Sequence, residues 1–323
     1  MTSPILSIGI VSPAPRGSQN GNGVTSRRWE RLLIELGHRV TVQTGYAGED
    51  YDVLISLHAM KSAAAIEAFH RRFPNRPQVL ALTGTDLYGD LDGDPRALRS
   101  LQLAERYVVL QPLGLQRIPE SLRTRAVVIG QSAPLAGRVR QGGSDHFDLC
   151  VLAHLRPVKD PLRAAAAVRD LPASSRIRVR HAGAGLDSEL VTRAERESES
   201  NPRYRWLGEL DRDEALALMA GSRLLVVTSR TEGGANVVTE AIAAGVPLVA
   251  TFIDGSIGIL GEDYPGYFPV GDTRALAGLL SRIENDRGLY RDLTQWVRRL
   301  APIVDPDRER DAWKELLAEL VPH

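Results

Sequence analysis

The chain is predicted to form two consecutive doubly wound α/β units, each a parallel sheet covered by helices on both faces. Three observations predict this. Short apolar runs alternate repeatedly with helix-period stretches. The runs are almost continuously apolar, as strands buried on both faces are. The alternation breaks once, at the polar, Gly-rich stretch "APLAGRVRQGGSDHF" (133–147), and then restarts. The expected organisation is a first Rossmann-like domain over 1–133, a linker over 134–147 and a second Rossmann-like domain over 148–300, the two facing a cleft. Residues 301–323 carry the amphipathic stretch "DAWKELLAEL". Packing of this helix back on the first domain is one option, although the sequence alone does not say which unit receives it.

The elements follow in order. "ILSIGIV" (5–11) reads as the first strand. "TSRRWERLLIELG" reads as a helix capped by Thr25, with Trp29, Leu32, Leu33 and Leu36 on one face and Gly37 as its stop. "RVTVQT" (39–44), "DVLISLH" (52–58), "QVLALTG" (78–84), "YVVLQ" (107–111) and "AVVIG" (126–130) complete the first set of strands, with "SAAAIEAFHRRF" and "PRALRSLQLAER" as helices. After the linker come "LCVLAHL" (149–155), "IRVRHAG" (177–183), "YRWLG" (204–208), "LLVVTS" (224–229) and "PLVATF" (247–252), again with helical stretches between them.

Composition excludes several classes. Lys plus Arg equals Asp plus Glu at 40 each, so no global field draws the chain to nucleic acid or an anionic membrane. No run approaches the ~20 apolar residues that span a bilayer. "MTSPILSIGIVSP" has no basic n-region, so the reading is a cytoplasmic protein without stable membrane association. The single cysteine, Cys150, sits in an apolar run and reads as a small buried hydrophobe. There is no G-x-S-x-G nucleophile elbow, no P-loop and no metal-ligand cluster among the seven histidines.

The most informative stretch is "TSRTEGGANVVTEAIAAGVPLVAT" (228–251). It joins a buried strand to a short helix that is stopped by Gly245 and followed by Pro247. Gly233 and Gly234 leave backbone open to close approach, and the N–H groups at 234–237 with the helix dipole make an anion site suited to a diphosphate. Glu232 is placed for the hydroxyls of a ligand beyond the phosphates, and Glu240, one turn in, for a ribose diol. Taken alone, the same residues read rather as a Gly-rich turn with Asn236 as N-cap and Glu240 as a favourable first-turn acid.

Glu232 and Glu240, set between "VVTSR" and "AIAAGVPLVAT", resemble the signature of the retaining nucleotide-sugar glycosyltransferases of the two-Rossmann, GT-B type (family 4). "VLAHLRPVKDPLRAAAAV", "HAGAGLD", "YRWLGELDRDEALALMAGS", "GVPLVATFIDGSIGIL" and "YFPVGDTRALAGLL" continue the resemblance across nearly the whole second unit. It implies that Glu232 meets the sugar, the amides of Gly234, Ala235 and Asn236 (with Gly233 and Val237 flanking them) hold the diphosphate, and Glu240 holds the ribose. Lys159 matches the phosphate lysine. The arginine expected five residues earlier is His154 here, so Arg156 either supplies the missing cation or is a solvated loop charge. Gly183 lies in the Gly turn, and the backbone of Leu207, Gly208 and Glu209 is placed at the base, expected to be uracil. Lys159, Glu232 and Arg156 are the catalytic candidates. No cofactor and no metal are expected.

In the first unit, "GNGVTS" is only G-x-G-x-x-S, and the second strand ends in Gln43 and Thr44 without an acid, so a dinucleotide fingerprint is poorly supported. The loop "SPAPRGSQNGNGVTSRRW" (12–29) is dense in donors, among them Arg16, Gly17, Ser18, Asn20, Asn22 and Gly23. Thr83, Gly84 and Thr85 occupy "LALTGTDLYGD", where the family carries a histidine at the position of Thr83. His58 and Lys61 follow the third strand, and a lone histidine there is more often structural. Gln131 stands in "VIGQSA" near the hinge. With "VVLQP" and "AHLRPVKDP", these motifs resemble one branch, the selenosugar synthases of bacterial selenoneine biosynthesis. That resemblance implies a UDP-sugar donor, UDP-N-acetylglucosamine or UDP-glucose, and selenophosphate as acceptor. The acceptor contacts would be Arg16, Gly17, Ser18, Asn20, Asn22, Gly23, His58, Lys61, Thr83, Gly84, Thr85 and Gln131. The alternatives are a retaining glycosyltransferase acting on a sugar, lipid or small-molecule hydroxyl, and a non-catalytic nucleotide-sugar binder. Association with pathway enzymes is not legible.

Overall fold

The computed structural model describes residues 4–15, 17–84, 86–89, 91, 93–134 and 145–321. Arg16, Thr85 and residues 135–144 of the expected linker therefore lie outside the described residues. The chain divides into two compact units. Unit 1 comprises Met1–Ser132, Glu232–Asn236 and Ile303–His323, and unit 2 comprises Ala133–Thr231 and Val237–Pro302.

Unit 1 is built on strands β1 (Ser7–Val11), β2 (Arg39–Gln43), β3 (Val53–Leu57), β4 (Gln78–Leu82), β5 (Arg106–Val109) and β6 (Ala126–Val128). They form one sheet in the order β2-β1-β3-β4-β5-β6, every pair parallel. β3 and β4 are buried at every position, which is why they read as unbroken apolar runs. Helices α1 (Gly21–Glu35), α2 (Ala63–Arg72) and α3 (Pro95–Leu103) connect them.

The first helix departs from expectation. It begins at Gly21, four residues before the predicted cap Thr25, and Asn20 is the N-cap, accepting from the Gly23 N–H at 3.0 Å. Thr25 is buried within the helix. Two glycines in four positions argue against helix by propensity. The reason for Gly23 is local: a Cβ there would lie 2.4 Å from the Ser18 carbonyl oxygen, which the tight entry loop brings against the helix.

The C-terminal helix, α11 (Pro306–Leu320), belongs to unit 1. Trp313, Leu316, Leu317 and Leu320 join a core with Ile8, Ile10, Trp29, Leu33 and Ile55. Trp29 and Trp313 are fully buried and meet edge to face at 4.8 Å between ring centroids.

Unit 2 contains β7 (Phe147–Leu152), β8 (Ile177–Ala182), β9 (Tyr204–Trp206), β10 (Leu224–Val227), β11 (Leu248–Thr251) and β12 (Tyr267–Phe268). The order is β12-β11-β10-β7-β8-β9, again all parallel. β7 starts one residue inside the expected linker. β12, two residues long, is too short to leave a periodicity signal. Helices α4 (Arg163–Arg169), α5 (Ser188–Ser200), α6 (Arg212–Gly221), α7 (Asn236–Ala243), α8 (Asp254–Leu260), α9 (Thr273–Asn285) and α10 (Arg287–Leu300) complete the chain. Cys150 on β7 is fully buried, and burial pushes its thiol up to about 12, so it is the inert apolar side chain expected. No helix is long and apolar enough to cross a membrane among the described residues.

Candidate active site

In an open parallel sheet the strand order reverses at one point, and the loops leaving the two strands there diverge to opposite faces, opening a crevice at their carboxyl ends. In unit 2 that point lies between β7 and β10, the neighbours from which the order runs outward in opposite directions. β7 leads into His154, Arg156 and Lys159, and β10 leads through Thr228–Thr231 to Glu232. Within unit 2 the fold thus brings the basic loop against Thr228–Arg230, although they lie about seventy positions apart in sequence.

The junction is hydrogen-bonded. The Thr228 hydroxyl donates to the Lys159 carbonyl at 2.9 Å, and the Arg230 N–H donates to the Val158 carbonyl at 2.8 Å. Pro157–Lys159 form a single 3-10 turn closed by Asp160, which takes the left-handed conformation at φ 43°. Aspartate is among the residues enriched in that conformation, and the Asp160 carboxylate accepts from Arg163 Nε at 2.9 Å. Lys159 and Arg156 are half-buried in this turn.

His154 has a structural task on the same edge: its Nδ1 accepts from the Ala184 N–H at 3.0 Å. Beside it, Gly183 could not be any other residue, because a Cβ would lie 2.0 Å from the Ala153 carbonyl oxygen. The two strand ends are clasped further by His181, which sequence reasoning read only as part of a strand. Its Nε2 donates to Ala153 O at 2.8 Å and its Nδ1 accepts from the Tyr204 hydroxyl at 2.7 Å. This is a neutral histidine, and burial lowers it to about 4. Leu207 and Glu209 are exposed at the end of β9, with Gly208 between them at φ 74°.

The loop Glu232–Asn236 leads directly into α7, whose first residue is Asn236. Asn236 is thus the first helical residue, not the cap before it. Its Nδ2 donates to Gly21 O at 3.3 Å and Thr25 Oγ1 at 3.4 Å, and its Oδ1 accepts from Arg28 Nη1 at 2.8 Å. The paired glycines have protein neighbours that demand them. A Cβ on Gly233 would sit 2.7 Å from Thr83 O and Gly84 N, and one on Gly234 would sit 2.6 Å from Leu110 Cβ. Glu232 is half-buried. Glu240, one turn into α7, accepts from Arg212 Nη2 of α6 at 2.7 Å. Arg212 was missed in the sequence. A charged residue opening a helix gives no local sign of the carboxylate it will meet.

In unit 1 the strand order reverses between β1 and β3. The loops there hold Gly17, Ser18, Asn20, Asn22 and Gly23 on one side and His58 and Lys61 on the other. Gly17 takes φ 89°. Ser18 Oγ accepts from the Asn20 N–H, and the Ser18 carbonyl accepts from Arg27 Nη1 at 2.7 Å. Asn22 Oδ1 accepts from the Thr83 hydroxyl at 2.7 Å, joining the α1 entry to the end of β4. His58 is buried at φ 73°, a conformation uncommon outside glycine. Lys61 is exposed. Asp86, fully buried, accepts from Gly84 N at 2.8 Å and Ala59 N at 3.1 Å, and so fixes the two loops carrying His58 and Thr83. Gln131 is buried and donates from Nε2 to Thr25 Oγ1. Among the described residues no three His, Cys, Asp or Glu side chains group as a metal site.

Residues 140–299 match the family described as "Glycosyl transferases group 1". No curated protein matches the chain significantly. Solved structures do. Sucrose-phosphate synthase from Thermosynechococcus elongatus superposes with a TM-score of 0.80 at 16% identity, over 97% of this chain and 98% of that one. HepE of Anabaena, in complex with UDP and glucose, does so with a TM-score of 0.76 at 15% identity, over 97% and 100%. A glycosyltransferase from Rickettsia africae gives 0.76 at 12% identity over 99% of each chain. At these identities the likeness is one of fold, and the fold is GT-B. Residues 140–299 thus match a group 1 glycosyl transferase domain, and the chain has the GT-B fold.

Proposed function

We propose that the protein moves a sugar from a UDP-sugar, UDP-N-acetylglucosamine or UDP-glucose, to selenophosphate, forming a carbon–selenium bond. The observation that carries the donor half is the junction at β7 and β10, where a basic turn is hydrogen-bonded to the strand that ends one loop before a helix start. The N–H groups of Gly234, Ala235 and Asn236 and the Lys159 ammonium stabilise the diphosphate as it departs. Glu240, oriented by Arg212, takes the ribose hydroxyls, the backbone at Leu207–Glu209 takes the base, and Glu232 takes the sugar. HepE structures solved with UDP and with UDP-glucose support this choice of donor.

The acceptor half rests on the first-unit motifs. Selenophosphate carries its nucleophile already ionised, so this side needs donors that position an oxyanion group more than it needs a base. Asn20, Asn22, Ser18, Lys61 and Thr83 are of that kind. The selenium lone pair attacks C1 of the sugar, and the C1–O bond to the diphosphate breaks with its electron pair leaving on UDP. The product is a sugar bearing Se-phosphate. Water attacking phosphorus then releases inorganic phosphate and the 1-selenosugar.

The test is one assay of purified protein with UDP-N-acetylglucosamine and freshly generated selenophosphate, following UDP release and a selenium-bearing sugar by mass spectrometry. A selenosugar that appears only with selenophosphate supports the proposal. UDP release with no selenium product would overturn the acceptor and leave transfer to a hydroxyl. Lys159→Ala is expected to slow UDP release by about 100-fold. Unchanged turnover in that variant would remove Lys159 from the site.

A further inference from the structure

Unit 1 buries a carboxylate and a guanidinium together, neither of them assigned above to the acceptor or base. Glu309 of α11 is 2% exposed and Arg28 of α1 is 9% exposed. Glu309 accepts from four donor groups: Arg28 Nε at 2.8 Å, Trp29 Nε1 at 2.7 Å, the Ser132 N–H at 2.8 Å and the Ser132 hydroxyl. A carboxylate has about four lone-pair sites, so this one is saturated.

The geometry of the pair is not the usual one. A guanidinium facing a single carboxylate in a structural pair offers two parallel N–H groups. Here the carboxylate takes only Nε. Nη1 donates at 2.8 Å to Oδ1 of Asn236, the first residue of α7, and Nη2 is buried without a hydrogen-bond partner. A buried guanidinium is an expensive way to fill a core. Its orientation places its one bond outside the Glu309 cluster on the helix start. The two bonds from Asn236 Nδ2, at 3.3 and 3.4 Å, are longer and uncharged, so the Arg28 contact is the strong one. A cation beside a helix N-terminus is also electrostatically unfavourable, and Glu309 offsets it.

We infer that Arg28, held by Glu309, is a positioning residue that fixes Asn236 and with it the end of the loop Glu232–Asn236. Its purpose, which rests on the donor reading above, is to aim the N–H groups at 234–237. The C-terminal helix therefore bears on the Glu232–Asn236 loop without touching it, through one carboxylate and one guanidinium.

The test uses the full chain without ligand and then with UDP. Amide hydrogen exchange is measured over 233–240 in wild type, Arg28→Lys and Asn236→Ala, with UDP affinity by calorimetry. Arg28→Lys keeps the charge beside Glu309 and loses both Nη1 and the Nε donor. Asn236→Ala removes the acceptor and leaves the Arg28–Glu309 pair intact, so it serves if the lysine variant does not fold. Exchange over 233–240 is expected to speed at least tenfold in either variant, with protection of β3 and β4 unchanged. UDP affinity is expected to fall at least tenfold. The double variant should be within twofold of Asn236→Ala alone over 233–240, because Asn236→Ala already removes the one contact through which Arg28 reaches this loop. Exchange within threefold of wild type in a folded variant would overturn the inference. Wild-type protein that binds no UDP would sink the donor reading instead, and the exchange data would still decide whether Arg28 fixes the end of this loop.

Discussion

An alanine at position 233 would bring its Cβ to 2.7 Å from the backbone of Thr83 and Gly84, a separation at which one chain must move. Gly233→Ala is therefore expected to displace the start of α7 and lower UDP release by about tenfold or more, measured at saturating UDP-sugar. The glycine was legible in the sequence as a point of close approach, but its neighbour was not. His181 is the second residue whose role only contacts reveal. Its folded value of about 4 lies below its ordinary value of 6.5, so the stability it contributes is complete above pH 6.5 and is lost as pH falls toward 4. The loss amounts to roughly 3 kcal/mol at pH 4. Urea unfolding between pH 7 and 4.5 should show this slope in wild type and a flatter one in His181→Gln.

At the scale of elements, α1 and α11 show what periodicity can and cannot carry. The apolar face of α1, with Trp29, Leu32 and Leu33, was readable at helical spacing, and all three residues are buried. Its start was not readable, because Gly21 and Gly23 look like loop until the Ser18 carbonyl is placed against Gly23. The amphipathicity of α11 was plain, whereas its seat beside Trp29 depends on a contact between the two ends of the chain. Trp313→Ala empties the edge-to-face contact and is expected to destabilise the protein by about 3–5 kcal/mol. A lower urea midpoint with an unchanged slope would check it.

At the scale of the whole molecule, the donor site makes a prediction of linkage. A ligand that binds only the folded chain stabilises it in proportion to the logarithm of its concentration. UDP at 100 times its dissociation constant should contribute about 2.7 kcal/mol. That corresponds to a rise of roughly 5 °C in the melting temperature. The shift should shrink in Lys159→Ala at the same UDP concentration. A melting temperature indifferent to UDP would contradict the donor assignment at once.

What the sequence determined by itself was the repeating material: alternating parallel strands and helices, one interruption, and a strand–Gly-Gly–helix loop between two glutamates. These are properties of neighbours within about eight positions, where spacing and side-chain type act directly on the backbone. Tertiary structure decided the pairings. The sheet order set Lys159 beside Thr228, the packing of α6 on α7 gave Glu240 its arginine, and Glu309 met Arg28 across 281 positions. No local pattern encodes such partners, because a buried charge is stabilised by whatever donors the completed fold brings to it, and those are known only once the sheet is ordered and the last helix is in place.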